Sequence, residues 1–331
     1  MKIKTIFKSA VLSFLIINSS FAITEKPFIL KHVYHHHEVN LVDSLVYQQI
    51  ESYGAFYNET NIFFTYGITP VDEIFLNGAV TLGNGIVKHT EKLGYTVVPT
   101  GADIQDDVED INGTGRKHIL ELWYHRTFKK LDFVIGIIDS TAFVDENEYA
   151  NDQNVQFLNN AFVNNPVAPL VSYNPGIFLK YSDENKEYKF VLIDNDPDDG
   201  YVGVFQFNYS GQNWNIRPYV YNVFDTNSDN NGFGVSADYT QGKTGYFFRI
   251  GIPFQNQNSF YSAGLEKRFI KSKKDKIGFA LGIINKQKNA YLSEFYYAFN
   301  INKHISTTFD IQYMKEYKDD IIFGGRLYLS Y

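Results

Sequence analysis

Residues 304–313 read His-Ile-Ser-Thr-Thr-Phe-Asp-Ile-Gln-Tyr, and from Ile305 onward every second residue is apolar or β-branched while those between are polar. Successive side chains of a β-strand point to opposite faces, so this stretch predicts a strand with one apolar and one polar face. The segments 232–240, 245–252 and 260–269 show the same alternation. The chain therefore contains strands that separate an apolar environment from a polar one.

Alternating segments of roughly ten residues recur along most of the chain, separated by Gly, Asn, Asp and Lys clusters. Candidate strands begin near Ile62, Ile74, His118, Leu131, Ile177, Tyr188, Tyr201, Trp214, Phe233, Gly245, Phe260, Ile277, Tyr291, Ile305 and Ile322. Bacterial barrels have an even number of strands, so we expect about sixteen, the remaining one near residues 45–56. Soluble sandwiches have shorter strands and open edges. We therefore predict an all-β fold, a transmembrane antiparallel up-and-down β-barrel.

The composition agrees with a wall that meets lipid outside and water inside. The chain of 331 residues has 25 Tyr and 29 Phe, yet its mean hydropathy is −0.26. It has no cysteine, so no disulfide contributes to stability, and its net charge of −7 argues against a nucleic-acid partner. Neither a Gly-rich phosphate loop nor a Ser-His-Asp or zinc-protease signature occurs. We therefore predict no cofactor, no catalytic residue and no enzyme activity.

The two ends of the chain indicate export to the outer membrane. Three lysines, an apolar stretch at 10–17 and small residues before position 23 predict a signal peptide at 1–22. We assign 23–60 to an N-terminal periplasmic segment or a first strand, and 61–331 to the barrel. The chain ends in an alternating strand with the aromatic Tyr331, the kind of C-terminal strand that the barrel-assembly machinery recognises.

Two stretches resemble the carbohydrate-selective porins of the OprB family. The first runs from His118-Ile-Leu-Glu-Leu-Trp-Tyr-His-Arg-Thr-Phe128 through Leu131-Asp-Phe-Val-Ile-Gly-Ile-Ile-Asp139 and Ala150-Asn-Asp152 to Gln156-Phe-Leu-Asn-Asn-Ala-Phe162. The second is Ser293–Tyr313, which resembles the penultimate hairpin of that family. The chain departs from the family at Ile137, where a lysine is usual, and at Phe309, where a proline is usual.

Between Asp145 and Phe162 the apolar residues are separated by Asn and Asp, which predicts a helical turn around 153–161. The resemblance implies a porin in which this connection, residues 145–162, folds into the lumen as a constricting loop. It also implies passive diffusion of small hydrophilic solutes, most of all carbohydrates. A nonspecific or anion-preferring general porin is the alternative from the same fold, and a membrane-embedded enzyme barrel is a further one. The mixture of acidic and basic lumen residues argues against an anion-preferring pore.

The alternation also predicts which side chains line the pore. It places Leu120, Leu122 and Tyr124 toward lipid, and so turns Trp123 into the lumen between a carboxylate and an imidazole. An aromatic face beside hydrogen-bonding groups suits a sugar. The predicted pore-lining and sugar-binding residues are Glu121, Trp123, His125, Asn151, Asp152, Gln156, Arg217, Arg249, Glu266, Arg268, Glu294, Asp310, Gln312 and Arg326. Alternatively, Trp123 packs against the inward loop, the lumen charges pair with one another, and the loop residues cap their own turns.

The remaining expectations concern metals and partners. Neutral imidazoles bind zinc, copper or nickel, but Glu38 beside His35, His36 and His37 completes no recognisable site, so we predict no metal centre and retain these three histidines as candidates. Besides small solutes, the predicted partners are outer-membrane lipid and lipopolysaccharide, the latter through external acidic loops. The sequence leaves open whether the barrel is a monomer or a homo-oligomer.

Overall fold

The computed structural model describes residues 37–101, 105, 108–110, 116–195, 200–224, 229–255, 258–269 and 275–331. Sixteen strands lie in this part of the chain: β1 His37–Ile50, β2 Tyr53–Thr69, β3 Asp72–Leu82, β4 Ile119–Phe128, β5 Leu131–Ile138, β6 Asn174–Asp183, β7 Lys186–Asp194, β8 Tyr201–Ser210, β9 Trp214–Phe224, β10 Asp229–Gln241, β11 Thr244–Pro253, β12 Ser259–Arg268, β13 Lys276–Asn285, β14 Ala290–Asn300, β15 Ile305–Lys315 and β16 Asp319–Ser330. The predicted signal peptide, together with His35 and His36, lies outside the described residues.

Every strand pairs antiparallel with its neighbours in the sequence, and β1 also pairs with β16. In that closing pair, Val42 lies opposite Ser330 and Ile50 lies opposite Ile322. Closure leaves no strand edge unpaired, so the backbone groups of the wall can all be satisfied within a membrane. The predicted antiparallel barrel of sixteen strands is confirmed.

The first strand differs from its predicted position. The sequence placed it near residues 45–56, whereas β1 covers His37–Ile50 and residues 53–60 belong to β2. The alternation of apolar and polar residues does not reveal β1, because the outer face of this strand carries the acidic Asp43 and its inner face carries the apolar Val46. Asp43 is 7% exposed, since its carboxylate accepts hydrogen bonds from Asn58 (3.0 Å) and Thr60 (2.5 Å) on β2.

Short turns and long connections are distributed unequally between the two rims of the barrel. The terminal rim carries His37 and Tyr331, and turns such as 129–130. The loop rim carries the connections 83–118 and 139–173. We call residues 139–173 the inward loop, because its buried side chains pack against the inside of the wall.

The helical turn predicted around 153–161 begins later in the structure. The inward loop contains a short 3-10 helix at Ser140–Ala142 and a helix, α2, at Asn160–Val163. Glu294 of the wall accepts the backbone amides of Leu158 (2.6 Å) and Asn159 (3.0 Å). Because these amides are bonded to the wall, the helix starts only after Asn159, whose side chain caps it by accepting from the amide of Ala161.

The connection 83–118 also enters the barrel, which the sequence did not predict. It contains a short helix, α1, at Val87–Lys92, and its carbonyl at Pro99 accepts hydrogen bonds of 2.9 Å from both Gln48 and Gln312. Together with the inward loop, it forms a buried cluster against the inner faces of β11 to β16. The open part of the lumen therefore lies on the opposite side.

Candidate functional site

A cavity of about 1660 Å³ occupies the side of the lumen that the two connections leave open. Asn77, Glu121 and Tyr173 line it at the loop rim, while Lys303 and Tyr331 line it at the terminal rim. Side chains from both rims therefore border the same space. This arrangement suits a passage through the barrel.

Aromatic rings form part of the cavity wall. Trp123 stacks on Phe75, with 4.6 Å between the ring centroids and 20° between the planes, and Phe63 lies 6.1 Å from Phe75. On β5, Gly136 lies opposite Trp123 with φ +149°. A Cβ atom there would lie 2.6 Å from the Cα of Trp123, so only glycine allows β5 to approach Trp123 this closely.

Charges around the cavity are separated by sign. Strands β1 to β4 contribute carboxylates, namely Glu38, Glu59, Glu73 and Glu121. The facing strands contribute bases, namely Lys180, Lys189, Arg217, Arg268 and Lys276. Glu187 is an acidic exception among them. An acidic wall opposite a basic wall orients polar solutes and disfavours apolar ones.

Seven of the predicted pore-lining residues border the cavity. They are Glu121, Trp123, Asn151, Asp152, Gln156, Arg217 and Arg268. Trp123 is only 5% exposed, because it packs between the aromatic wall and the inward loop. The structure thus brings the predicted aromatic and carboxylate together at one place on β4.

The loop residues within this set are bonded mainly to their own turns. The side-chain oxygen of Gln156 accepts the amides of Asn151 (2.6 Å) and Asp152 (3.0 Å), and its NH₂ group donates to the carbonyl of Glu148. Asp152 in turn accepts the amide of Asn154. These bonds fix the shape of the loop where it borders the cavity.

The other seven predicted residues point inward but do not border the cavity, which corrects the sequence analysis. They are His125, Arg249, Glu266, Glu294, Asp310, Gln312 and Arg326, each at most 2% exposed. The inward loop and the connection 83–118 cover the wall from β11 to β16, and neighbouring polar side chains surround His125. Alternation places a side chain on the inner face but does not show what covers it.

Arg249 and Arg326 bind the backbone of the inward loop. Arg249 donates to the carbonyl oxygens of Phe162 (2.8 Å) and Ala150 (3.0 Å). It also forms an ion pair of 3.0 Å with Asp145. Arg326 donates to the carbonyl of Gln156 at 3.0 Å. Both arginines therefore position the loop rather than a solute.

A second group of charges binds the loop at β7. Lys189 forms an ion pair with Glu146 and donates to the carbonyl of Phe143 (3.1 Å). Burial acts to raise the pKa of Glu146, but Lys189 and Arg217 outweigh it, so the pKa lies below its usual value. Burial raises the pKa of Asp145, against the opposing effect of Arg249. The inward loop thus contains two different carboxylates. Neighbouring bases stabilise the charged form of Glu146, whereas burial destabilises the charged form of Asp145.

His125 is buried within a polar network on β3 to β6. Its Nδ1 lies 3.0 Å from Glu73 and its Nε2 lies 3.3 Å from Asp132. Asp132 also pairs with Lys180 at 3.0 Å. Neither Lys180 nor Glu73 is among the lumen residues predicted from the sequence, although the alternation along β6 and β3 turns both inward.

The described residues contain no group of three or more His, Cys, Asp or Glu side chains arranged to hold a metal ion. His37 is described, and it begins β1. Within the same residues, no helix has the length and apolar character needed to cross a membrane.

No protein-family model matches the chain. A protein of Aquifex aeolicus (strain VF5), described as uncharacterized, is 33% identical over 306 residues, which cover 92% of this chain and 98% of that protein. The high-pH structure of Pseudomonas putida OprB aligns with a TM-score of 0.71 at 12% identity, covering 89% of this chain and 94% of that one. A mutant Rh. blastica porin aligns with a TM-score of 0.59 at 9% identity, covering 89% and 100%. The chain therefore has the porin fold, as the resemblance to OprB implied.

Proposed function

The chain belongs to the same protein family as the Aquifex aeolicus protein, and since it also has the fold of OprB, we propose that it is an outer-membrane porin. Small hydrophilic solutes, above all carbohydrates, would diffuse through it without covalent chemistry. The observation that carries this proposal is the cavity of about 1660 Å³, bordered by side chains from both rims.

The carbohydrate preference rests on Trp123 and its surroundings. A sugar offers C–H groups to an aromatic face and hydroxyl groups to hydrogen-bonding side chains. Trp123 and Phe75 supply a stacked aromatic surface. Glu121 lies two residues from Trp123 on the same face of β4 but is only 1% exposed, so the hydrogen bonds to sugar hydroxyl groups come from other side chains. Arg217 and Lys180 stand among the bases across the cavity. Shared contacts of this kind bind a sugar weakly enough to release it.

Asn151, Asp152 and Gln156 have a supporting part in this proposal. Their side chains border the cavity, but the hydrogen bonds within the loop occupy Gln156 and one oxygen of Asp152. We therefore assign sugar stacking to the wall and the width of the passage to the loop.

The test is single-channel conductance of the refolded protein in a planar bilayer, with and without glucose and maltose. We expect a steady ion current that falls when sugar is added. Trp123→Ala should weaken the block about tenfold, equal to about 1.4 kcal/mol, because the stacking surface is lost. The matched control is Trp214→Ala, since Trp214 lies on the outer wall with 40% of its surface exposed; its block should be unchanged.

Two outcomes would overturn parts of the proposal. A current that no sugar reduces would leave a general pore and remove the carbohydrate preference. A correctly folded barrel that passes no ions would remove the porin function itself.

The location in the outer membrane and the remaining partners belong to the same proposal. Apolar side chains on the outer wall, such as Leu281 (53% exposed) and Phe323 (55% exposed), suit contact with lipid. Lipopolysaccharide and the barrel-assembly machinery would meet the loop rim and the C-terminal strand. A homo-oligomer belongs to the same proposal. Cross-linking in native membranes would separate monomer from oligomer.

A further inference from the structure

Carboxylates inside the barrel usually have a basic partner. The pairs include Asp132 with Lys180 (3.0 Å), Asp238 with Arg217 (2.5 Å), Asp145 with Arg249 (3.0 Å) and Glu266 with Lys276 (2.8 Å). Such pairing offsets the cost of removing a charge from water. A carboxylate without a base is therefore an exception that needs a physical reason.

Glu121 and Asp139 form such an exception at the loop rim. Glu121 is 1% exposed, and its carboxylate faces two neutral donors, the backbone amide of Asp139 and the indole N–H of Trp123. Within the described part of the chain, no lysine, arginine or histidine pairs with either residue. The Asp139 carboxylate accepts hydrogen bonds only from neutral groups, namely Thr141 and Ser172 (2.9 Å). Two neighbouring acids thus lack a compensating charge.

Two buried oxygen atoms at this place lack a hydrogen-bond partner. One is Oε1 of Glu121, and the other is Oδ1 of Asn77, a residue that is 4% exposed. Asn77 lies directly opposite Glu121 in the β3–β4 pair, and its NH₂ group donates to Oε2 of Glu121 at 3.4 Å. A buried acceptor left without a partner costs about 1–3 kcal/mol, and more if it is charged. Each residue also borders the cavity, through which a ligand can enter.

We propose that Glu121, Asp139 and Asn77 bind a hard divalent cation, Mg²⁺ or Ca²⁺, at the loop rim of the lumen. Carboxylate and amide oxygens are the ligands that these ions prefer. Mg²⁺ in particular is commonly bound through one or two carboxylates while it retains several water molecules, which the cavity supplies. The ion would provide the positive charge that the wall lacks here.

The shielding of the oxygen atoms favours a small ion over a solute group. Oε1 of Glu121 is buried, so an ammonium or hydroxyl group carried by a sugar-sized molecule meets steric obstruction. A bare or partly hydrated ion does not. The inference is independent of the proposed function, because binding to the wall does not require that solutes pass through the barrel.

The experiment uses the full-length refolded protein in detergent, with Tb³⁺ as a probe for hard cation sites. Glu121 and Trp123 lie two residues apart on one face of β4, so bound Tb³⁺ should emit light when tryptophan is excited. We expect saturable emission that Mg²⁺ or Ca²⁺ reverses. Separate titrations with each salt identify which ion competes better. Glucosamine, which carries a protonated amine, should not compete.

Glu121→Gln and Asp139→Asn should each weaken Tb³⁺ binding at least about tenfold, since each removes one charged ligand. The control Glu38→Gln removes a lumen carboxylate near the terminal rim and should leave binding unchanged. Circular dichroism and heat-dependent electrophoretic mobility verify that each variant is folded. Absent saturable emission, equal binding by Glu121→Gln, or competition by glucosamine alone would each overturn the proposal. A barrel that binds Tb³⁺ but conducts no current would overturn only the porin function.

Discussion

At the residue scale, charged side chains of the wall determine where the inward loop lies. Arg249 is fully buried and binds the backbone carbonyls of Phe162 and Ala150 as well as the carboxylate of Asp145. Glu294 binds the opposite kind of group, two backbone amides. Apolar side chains of the loop, such as Phe157 and Phe162, also pack against the wall, and the directional bonds to Arg249 and Glu294 define its path through the lumen.

Arg249→Ala should destabilise the barrel more than the loss of an exposed arginine. The substitution leaves Asp145 buried without its base, and removing one partner of a buried pair costs about 3–5 kcal/mol. Urea unfolding followed by tryptophan fluorescence measures the change. The control is Arg268→Ala, since the side chain of Arg268 is 53% exposed and its pair with Glu266 contributes at most about 1 kcal/mol. Equal losses in the two variants would contradict the assigned role of Arg249.

The ion pair between Glu146 and Lys189 predicts a loss of stability in acid. The pKa of Glu146 is lower in the folded protein than in the unfolded chain, since Lys189 and Arg217 outweigh the effect of burial. Its stabilising contribution is therefore complete above the ordinary glutamate pKa of about 4.3 and is lost as the pH falls through the lower, folded value.

Unfolding at a series of pH values measures this contribution. The stability of the native protein should fall below about pH 4 more steeply than that of Glu146→Gln, which has no such proton to bind. Glu38→Gln serves as the control, because Glu38 is bonded to Asn40 rather than to a base. Parallel curves for the native protein and Glu146→Gln would refute the prediction.

At the element scale, strands and connections obey different rules. A change in register between Asn77 and Gly78, where β3 pairs with β4, interrupts the alternation. As a result Leu120, which the sequence placed toward lipid, is fully buried against Ala79 and Val108, whereas Leu122 is 43% exposed as expected. A single irregularity in the β3–β4 pairing thus moves Leu120 from the outer to the inner face and leaves the rest of β4 unaltered.

The connection 83–118 should limit the size of the passage. Residues 95–100 fill the lumen beside β1, β2, β15 and β16. Tyr95 donates to Asp320 on β16 (2.8 Å), and Thr100 donates to Tyr57 on β2 (2.9 Å). Replacing 95–100 by a shorter Gly-Ser linker should raise single-channel conductance, because a wider section of the lumen then fills with water. Replacing the turn residues 242–243 at the terminal rim is the control and should leave conductance unchanged. An unaltered current after the first replacement would show that 95–100 does not constrict the passage.

At the scale of the whole molecule, closure depends on the pairing of the first strand with the last. Leu45 on β1 lies opposite Leu327 on β16, and both side chains are on the outer face. The first and last strands are far apart in the sequence, so their pairing has a high entropic cost that the rest of the barrel must offset.

Introduced cysteines can test this closure, because the native chain has none. The double variant Leu45→Cys with Leu327→Cys should form a disulfide under mild oxidation, since directly opposed residues on neighbouring strands lie within disulfide reach. Electrophoresis without reductant detects the cross-link. The control pairs Leu45→Cys with Phe279→Cys on β13, which is not a neighbour of β1 and should not cross-link. An uncross-linked Leu45–Leu327 variant would contradict the closed barrel.

The alternation of side chains was sufficient to predict most of the wall. In β10, β12 and β15 every second residue points to the outside of the barrel, so the polarity of each position is set by local geometry and can be read from the sequence. The same rule correctly turned Trp123, Glu121 and Arg217 into the lumen. It failed for β1, because Asp43 on the outer face and Val46 on the inner face have the reverse polarity. Asp43 is satisfied there by Asn58 and Thr60 of the neighbouring strand β2.

What the sequence by itself determined is the barrel: its strands, their faces and the resemblance to OprB-type porins follow from a period of two residues and from short motifs. Only the tertiary structure decided which inward side chains border the cavity. Arg249 binds the carbonyl of Asp145, 104 residues away, and Gln312 binds that of Pro99, 213 residues away. Such contacts depend on where two long connections meet the wall across the lumen, and no local pattern encodes a distance of that kind.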